Sequence, residues 1–200
     1  MKKFILLLLL PAIFSSFIIF NKTVITEEER KFAVDHLTKT QEDLLNAVSG
    51  LTEAQLNFKS APDRWSVLEC VQHITMASNG LWQMTEATLK EKTDTLKSQV
   101  ADDQLIKMVQ DRSMKAQAAE PMLPGKSPYH TLAETLDAFK SDRSKLIDYI
   151  QKTNDDMRSH VAKMPFGPID SYQLVLMISA HTNRHTQQIS EVKADPNFPK

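Results

Sequence analysis

The sequence predicts an all-α fold: a four-helix bundle with an additional short helix between the second and third long helices, preceded by an N-terminal hydrophobic segment. Four long stretches carry apolar residues at three- and four-residue steps, as expected for helices that bury one face. Only four glycines and 7% aromatic residues occur in 200 positions, and no stretch has a convincing strand pattern. Because each apolar stripe must be buried against the others, a bundle is the simplest architecture.

The composition limits the class of protein. Two hundred residues suffice for one domain with a substantial core. The formal net charge is −1, and beyond residues 1–22, which hold three lysines and no acid, 21 basic residues face 25 acidic ones. This balance argues against a nucleic-acid partner. The single cysteine, Cys70, excludes an intrachain disulfide.

Residues 1–25 are predicted to form a signal peptide or a signal anchor. Lys2 and Lys3 precede an apolar run from Phe4 to Phe20, the pattern of a secretory signal. These 17 residues are long for a signal core and only just long enough to cross a bilayer, so cleavage and retention in the membrane both stay open. The positive charges at the start predict that the domain is exported and lies outside the cytoplasm.

The first helix of the bundle is predicted over residues 26–50. Thr26 begins a capping box with an acidic first turn that suits the helix dipole, and Gly50 suits the C-cap. The predicted apolar face consists of Phe32, Leu37, Leu44, Leu45 and Val48. The connector 51–64 holds one predicted helical turn at 52–56 and then a loop with proline.

The second helix is predicted from Ser66 to about Glu91. Ser66 and Glu69 form a second capping box, and Trp65 packs beside the start of the helix. His73 lies one turn beyond Glu69 on the same face. The residues that continue this face are Met76, Ala77 and Gly80. The small side chains among them predict free space beside the imidazole.

The remaining elements follow in order. A shorter, more exposed helix is predicted over 102–117, and a proline-containing loop follows it. The third long helix is predicted over 131–158, and the final helix over 171–192 after a turn with two prolines and a glycine. The bundle domain therefore spans 26–193. The polar tail that follows, residues 194–200, is predicted to be disordered.

Three histidines on two helices form a candidate metal site. His181 and His185 are one turn apart on the final helix, about 6 Å along its axis, so both can reach one ion. His73 adds an imidazole from the second helix. Three ligands with an open position are typical of a catalytic zinc site. The alternative interpretation is that these histidines are core residues, each with its own hydrogen-bond partners. The metalloprotease signature is absent, because Thr182 stands where that motif has its general base.

Other residues near these positions have weaker functional interpretations. Glu69 is a candidate general base, although its place in a capping box favours a structural role. Cys70 is a candidate fourth ligand or reactive thiol, but a lone helical cysteine is more often a small buried hydrophobe. Gln188 continues the histidine face and is a candidate partner that orients an imidazole. Asn183 and Arg184 lie off the histidine face and are predicted to face solvent or to contact neighbouring helices. His36, His130 and His160 are predicted at the surface.

Two segments resemble the DinB/YfiT superfamily. Residues 65–74, WSVLECVQHI, and 181–189, HTNRHTQQI, arrive in the order and context of that family, and residues 51–56 and 62–64 suit its first connector. The resemblance covers about residues 27–193. It implies a four-helix bundle that holds a divalent metal, often zinc or nickel, on three histidines. By motif position these are His73, His181 and His185.

The resemblance also implies a range of activities. Relatives include metal-dependent hydrolases, a maleylpyruvate isomerase and S-transferases that use small thiols such as bacillithiol or mycothiol. Since such thiols are chiefly cytoplasmic and the N-terminus predicts export, the sequence favours an exported metal-dependent hydrolase with a small-molecule substrate. The alternatives are a non-catalytic metal- or ligand-binding bundle tethered to the membrane, a thiol-dependent S-transferase, and a metal-free structural bundle. A homodimer is compatible with all of them.

Overall fold

The computed structural model describes residues 24–93, 96–113 and 117–200. Its helices are α1 Glu27–Val48, α2 Glu53–Asn57, α3 Val67–Lys90, α4 Asp102–Gln110, α5 Leu132–Lys152 and α6 Ser171–Lys193. Two strands, β1 Val161–Met164 and β2 Gly167–Asp170, and two 3-10 turns, Glu120–Met122 and Pro124–Lys126, complete these elements. The predicted signal or anchor segment lies outside the described residues apart from its last two positions. Within the described ranges, no helix is long and apolar enough to cross a membrane.

The four long helices α1, α3, α5 and α6 form the predicted bundle. Helix α6 packs against α1, α3 and α4, and α5 packs against α1 and α3. The short helix α4 lies between the second and third long helices in sequence and covers one side of α6. The final helix is therefore the central element, and 15 of its 23 residues are buried.

Local sequence signals set the start of every long helix. Each begins with a capping box in which the N-cap side chain accepts the N3 backbone N–H and the N3 side chain accepts the N-cap N–H. The pairs are Thr26–Glu29, Ser66–Glu69, Thr131–Glu134 and Asp170–Gln173. Gly50 follows α1 with a φ of 71°, as its predicted place after the helix requires.

The structure corrects the prediction that no strand is present. Helix α5 ends at Lys152 rather than near residue 158, and β1 and β2 form an antiparallel hairpin in which Val161 pairs with Asp170. Gly167 has a φ of 122° at the tight connection between the strands, a conformation that favours glycine. The hairpin leads directly into α6, since Asp170 is both the last strand residue and the N-cap of that helix.

Helix α4 is shorter than predicted and is held by α6. It ends at Gln110, because the Asp111 side chain accepts the backbone N–H of Ser113 at 2.8 Å and turns the chain. The guanidinium of Arg184 on α6 donates to the carbonyl oxygens of Val109 and Asp111. Arg184 thus makes the contact between helices that was predicted for it, and it places a positive charge at the C-terminus of α4.

The predicted disordered tail packs on the bundle in the structure. The ring of Phe198 meets that of Phe58 edge to face with 5.5 Å between centroids. Gln55 donates to the carbonyl oxygen of Pro199 at 3.0 Å. The tail is polar in composition, but one aromatic side chain is enough to dock it near the end of α6.

The charged residue Arg143 lies inside the bundle. Arg143 on α5 is only 2% exposed, and its guanidinium donates to the carbonyl oxygen of Leu37 and to the hydroxyls of Thr40 and Thr182. The cation also lies 5.0 Å from the ring centroid of Phe139. Burial lowers the pKa of Arg143 to about 9. This side chain therefore connects α5 with α1 and α6 through the core.

Candidate metal centre

The fold brings the three predicted histidines together. His73 projects from α3, and His181 and His185 project from α6, the two helices with the most extensive contact in the bundle. One ring nitrogen from each histidine lies within 4.8 Å of the other two. The ring centroids are 4.5 to 5.1 Å apart. Among the described residues, these three form the one cluster of side chains that is suited to hold a metal ion.

Hydrogen bonds assign the protonation of two rings. The Nδ1 of His73 lies 2.7 Å from the carbonyl oxygen of Met122, so it donates its proton there. The Nδ1 of His185 lies 2.8 Å from Oε1 of Gln188 and donates in the same way. Each Nε2 is therefore an unprotonated acceptor, the form in which histidine binds metals. The orienting partner predicted at Gln188 is present.

Burial keeps all three imidazoles neutral. Burial, together with the charge that the neighbouring histidines would carry, lowers the pKa of His181 to about 3 and that of His185 to about 2. Burial also lowers the pKa of His73, although the hydrogen bond to Met122 opposes the shift. Neutral rings at pH 7 are what metal ligation requires, since a proton would otherwise occupy the ligand atom.

The spacing of one pair of ligand nitrogens fits a single divalent ion. Two nitrogens bonded to a tetrahedral zinc ion at about 2.0–2.1 Å lie about 3.3 Å apart. The Nε2 atoms of His181 and His185 are 3.2 Å apart. The Nδ1 of His181 is buried without a hydrogen-bond partner in the part of the chain that the structure describes, so in the metal-free protein its Nε2 can donate to the Nε2 of His185. A cation between the two rings takes the place of that proton. The donor set therefore suits a divalent metal on chemical grounds.

A second layer of contacts supports His185. Oε1 of Gln188 also accepts from Arg112, at 3.4 Å, and Arg112 makes a bidentate pair with Glu191 at 3.0 and 2.7 Å. Because only the oxygen of the amide can accept from Arg112, this contact favours the orientation in which Oε1 faces His185. Arg112 follows α4 directly, so the short helix delivers this side chain to the metal centre.

The structure separates the other candidates from the site. One Glu69 oxygen accepts the Ser66 backbone N–H at 2.8 Å and the other accepts from Lys59 at 2.7 Å, which favours capping over general-base chemistry. Cys70 is fully buried in the apolar core, and burial raises the pKa of its thiol to about 12, so it remains a protonated thiol at pH 7.

The three other histidines differ from one another. His130 is exposed, as predicted. His36 is half-buried and its Nδ1 lies 2.5 Å from the hydroxyl of Ser179, and His160 is half-buried beside β1. The surface prediction is therefore wrong for these two. Their burial depends on packing against α6 and the hairpin, which no helical spacing reveals.

Two features of the site were not predicted. The Met122 carbonyl that orients His73 belongs to a 3-10 turn in a loop, and a backbone oxygen has no signature in the sequence. The free space expected beside Ala77 and Gly80 is occupied, because a Cβ on Gly80 would lie 2.7 Å from Cε of Met122. The glycine therefore makes room for the side chain of Met122, the residue whose backbone carbonyl oxygen orients His73.

Trp65 covers one side of the histidines. Its ring centroid lies 4.7 Å from that of His73 and 5.8 Å from that of His185, the latter with the planes stacked at 25°. The packing role predicted for Trp65 thus extends to the ligand rings. An indole at this position shields two imidazoles from water and limits their rotation.

Replacing Gln188 with leucine is expected to weaken metal affinity by about 10- to 100-fold, because His185 loses the acceptor that orients it. Competition with a chelator of known affinity measures the change. Gln187→Leu is the matched control, since Gln187 is exposed and bonds Asn183 and Gln110 instead of a histidine. Equal affinities in the two variants would contradict the role assigned to Gln188.

Acid is expected to destabilise the metal-free domain. The pKa of His185 is about 2 in the folded state and about 6.5 in the unfolded state, so only the unfolded chain binds a proton between these values. The stabilisation is present above pH 6.5 and is lost as the pH falls below it, by about 1.4 kcal/mol per pH unit for one histidine. Denaturant unfolding between pH 7 and pH 5 measures the slope. The free energy of unfolding should depend less steeply on pH in His185→Gln than in the wild type. Identical slopes would refute the contribution assigned to His185.

Comparisons with known proteins place this geometry in context. A family model described as the DinB superfamily matches residues 36–189. The chain is 22% identical over 150 residues to YuaE from Bacillus subtilis, an alignment that covers 74% of this chain and 89% of YuaE. Among solved structures it is similar to YfiT from Bacillus subtilis, described as a probable metal-dependent hydrolase with an unusual four-helix bundle topology. That similarity has a TM-score of 0.58 at 15% identity and covers 84% of this chain and 88% of YfiT.

Proposed function

This chain belongs to the DinB superfamily, and from that premise we propose that it is a metal-dependent hydrolase of a small-molecule substrate. The proposed ligands are His73, His181 and His185, and the proposed metal is zinc or nickel. The observation that carries the proposal is the convergence of three neutral imidazoles, two of them oriented through their Nδ1 atoms. The description of YfiT as a probable metal-dependent hydrolase supports it.

The chain's own residues prepare the site for such chemistry. When bound, a divalent ion on three neutral ligands supplies Lewis-acid activation of water and of a substrate carbonyl or phosphoryl group. Met122 and Gln188 hold the Nδ1 protons of His73 and His185, so the Nε2 atoms stay free for ligation. Trp65 excludes water from one side of these rings.

A second candidate function is capture of a ligand without catalysis. It is favoured by the engagement of Glu69, whose two oxygens are held by Ser66 and Lys59 and are not available as a base. In this alternative the metal or the surrounding cleft binds a ligand that remains chemically unchanged.

A metal analysis combined with an activity screen tests the proposal. The purified domain is expected to hold one divalent ion, and the loaded protein is expected to hydrolyse at least one of a panel of ester, amide and thiol-conjugate substrates. Turnover that disappears with a chelator and returns with the metal supports hydrolysis. Stoichiometric metal without turnover across the panel favours capture, and transfer of the conjugate to a free thiol identifies an S-transferase. Absence of a stoichiometric ion overturns the metal-dependent proposal.

We further propose that the domain works outside the cytoplasm, on the basis of the charged and apolar N-terminus. Mass spectrometry of the N-terminus of the protein recovered from cell fractions tests this. A chain that begins after the apolar run supports a cleaved signal, and an intact chain in the membrane fraction supports an anchor. An intact chain in the cytoplasm overturns export.

A further inference from the structure

A cleft of about 350 Å³ lies beside the candidate metal centre. One wall is the loop that leads into α3, with Arg64 and Trp65, and the other is the 3-10 turn Pro124–Lys126 together with Leu123. We propose that this cleft binds the anionic end, a carboxylate or a phosphate, of the small molecule on which the domain acts. This inference rests on the proposed function, because it assigns the substrate class of the same site.

The cleft shares both of its walls with the metal centre. Trp65 lines the cleft and also contacts the rings of His73 and His185. Leu123 lines it as well, and it directly follows Met122, whose carbonyl oxygen accepts the Nδ1 proton of His73. No histidine of the described chain lines the cleft, but residues of both walls contact the histidines or lie next to a residue that does. The volume of the cleft is within the range of small-molecule sites, which begins near 300 Å³.

The charged groups that line the cleft favour an anion. Arg64 is exposed, and among the described residues its guanidinium makes no hydrogen bond or close ion pair, although it lies near enough to Glu191 to lower the pKa of that carboxyl. Lys126 pairs with Glu120 at 3.0 Å, but both side chains are more than half exposed, so this pair is weak and can open. A guanidinium fork on one wall and an ammonium on the other suit the oxygens of a carboxylate or phosphate.

The carboxylates in the cleft leave this preference in place. Glu69 is already engaged by Lys59 and by the backbone of Ser66, so its charge is balanced within the wall. Asp63 is the other acid that lines the cleft, against the two cations Arg64 and Lys126. The wall opposite Arg64 also has room, since a Cβ on Gly125 would meet no atom within 4 Å.

Binding of malonate and of inorganic phosphate, followed by the NMR signal of the Trp65 indole N–H, tests the proposal. A Trp82→Phe variant identifies that signal, because the chain has two tryptophans. We expect at least one anion to shift it saturably, and neutral malonamide to leave it unchanged. The anion that binds with the higher affinity shows whether the cleft prefers a carboxylate or a phosphate. Arg64→Gln is expected to weaken that binding at least tenfold, and Lys126→Gln at least threefold.

Lys145→Gln is the matched control, since it removes one positive charge from an exposed lysine of α5 that does not line the cleft. The titrations are run on the zinc-loaded and on the metal-free protein, because binding that persists without zinc cannot be coordination of the anion to the ion. Equal affinities in Arg64→Gln and Lys145→Gln, or no saturable shift, overturn the cleft proposal. If the same samples hold zinc, the hydrolase proposal survives that failure. If they bind the anion but no metal, the cleft stands as an anion site and the hydrolase proposal fails.

Discussion

Replacing His185 with alanine is expected to abolish stoichiometric metal binding, with a loss of affinity of at least about 100-fold. His185 offers one of only three ligand nitrogens in the cluster, and the two that remain come from different helices. Binding of a structural zinc ion by four ligands is worth about 10–16 kcal/mol, so the loss of one ligand removes several kcal/mol. About 2.7 kcal/mol already corresponds to 100-fold.

Metal content per chain and the response of the melting temperature to added metal measure this effect. The wild type is expected to gain stability with metal, by about 2.7 kcal/mol at a concentration 100 times the dissociation constant, and the variant is expected to gain none. His185→Gln, which keeps most of the side-chain volume, guards against a simple folding defect. His130→Ala is the matched control, because His130 is exposed and away from the cluster. A His185 variant that retains one ion per chain would refute the ligand assignment.

Replacing Arg143 with alanine is expected to destabilise the fold by about 3–5 kcal/mol. The change leaves a cavity in the core, and it removes hydrogen bonds of 2.8 to 3.1 Å from Leu37, Thr40 and Thr182. The hydroxyl oxygens of Thr40 and Thr182 then lose a buried donor, while the Leu37 carbonyl oxygen still accepts from the Thr40 hydroxyl. Because Thr182 is adjacent to His181, the loosening also reaches the helix that carries two of the histidines.

Arg143→Met separates the charge from the packing. Methionine fills much of the same space and introduces no buried cation, so a loss of only about 1–2 kcal/mol is expected. Denaturant unfolding of the metal-free proteins measures both values, and Lys140→Ala on the exposed side of the same helix is the control. An alanine variant no less stable than the methionine variant would show that the packing around Arg143 contributes nothing.

The ligand set was predictable because its signals are local. The period of 3.6 residues puts His181 and His185 on one face of a helix, whatever surrounds it. Serine and glutamate three residues apart similarly set the start of α3, and this start fixes which face presents His73. Gln188 follows from the same period, since it is three residues beyond His185. Such signals are short in range, and the fold does not change them.

The sequence by itself therefore determined the four long helices, the start of each, and the face on which His73, His181 and His185 lie. Only the tertiary structure decided that Met122 orients His73, that Arg112 supports Gln188, and that Arg143 is buried. These contacts join residues 39 to 106 positions apart, through a backbone carbonyl or through charged side chains. The local sequence pattern predicts that charged side chains face solvent, and it predicts nothing about which backbone oxygens accept a hydrogen bond from a side chain. Their partners are therefore set by how the helices pack, because a buried polar group is stable only where the fold supplies a hydrogen bond.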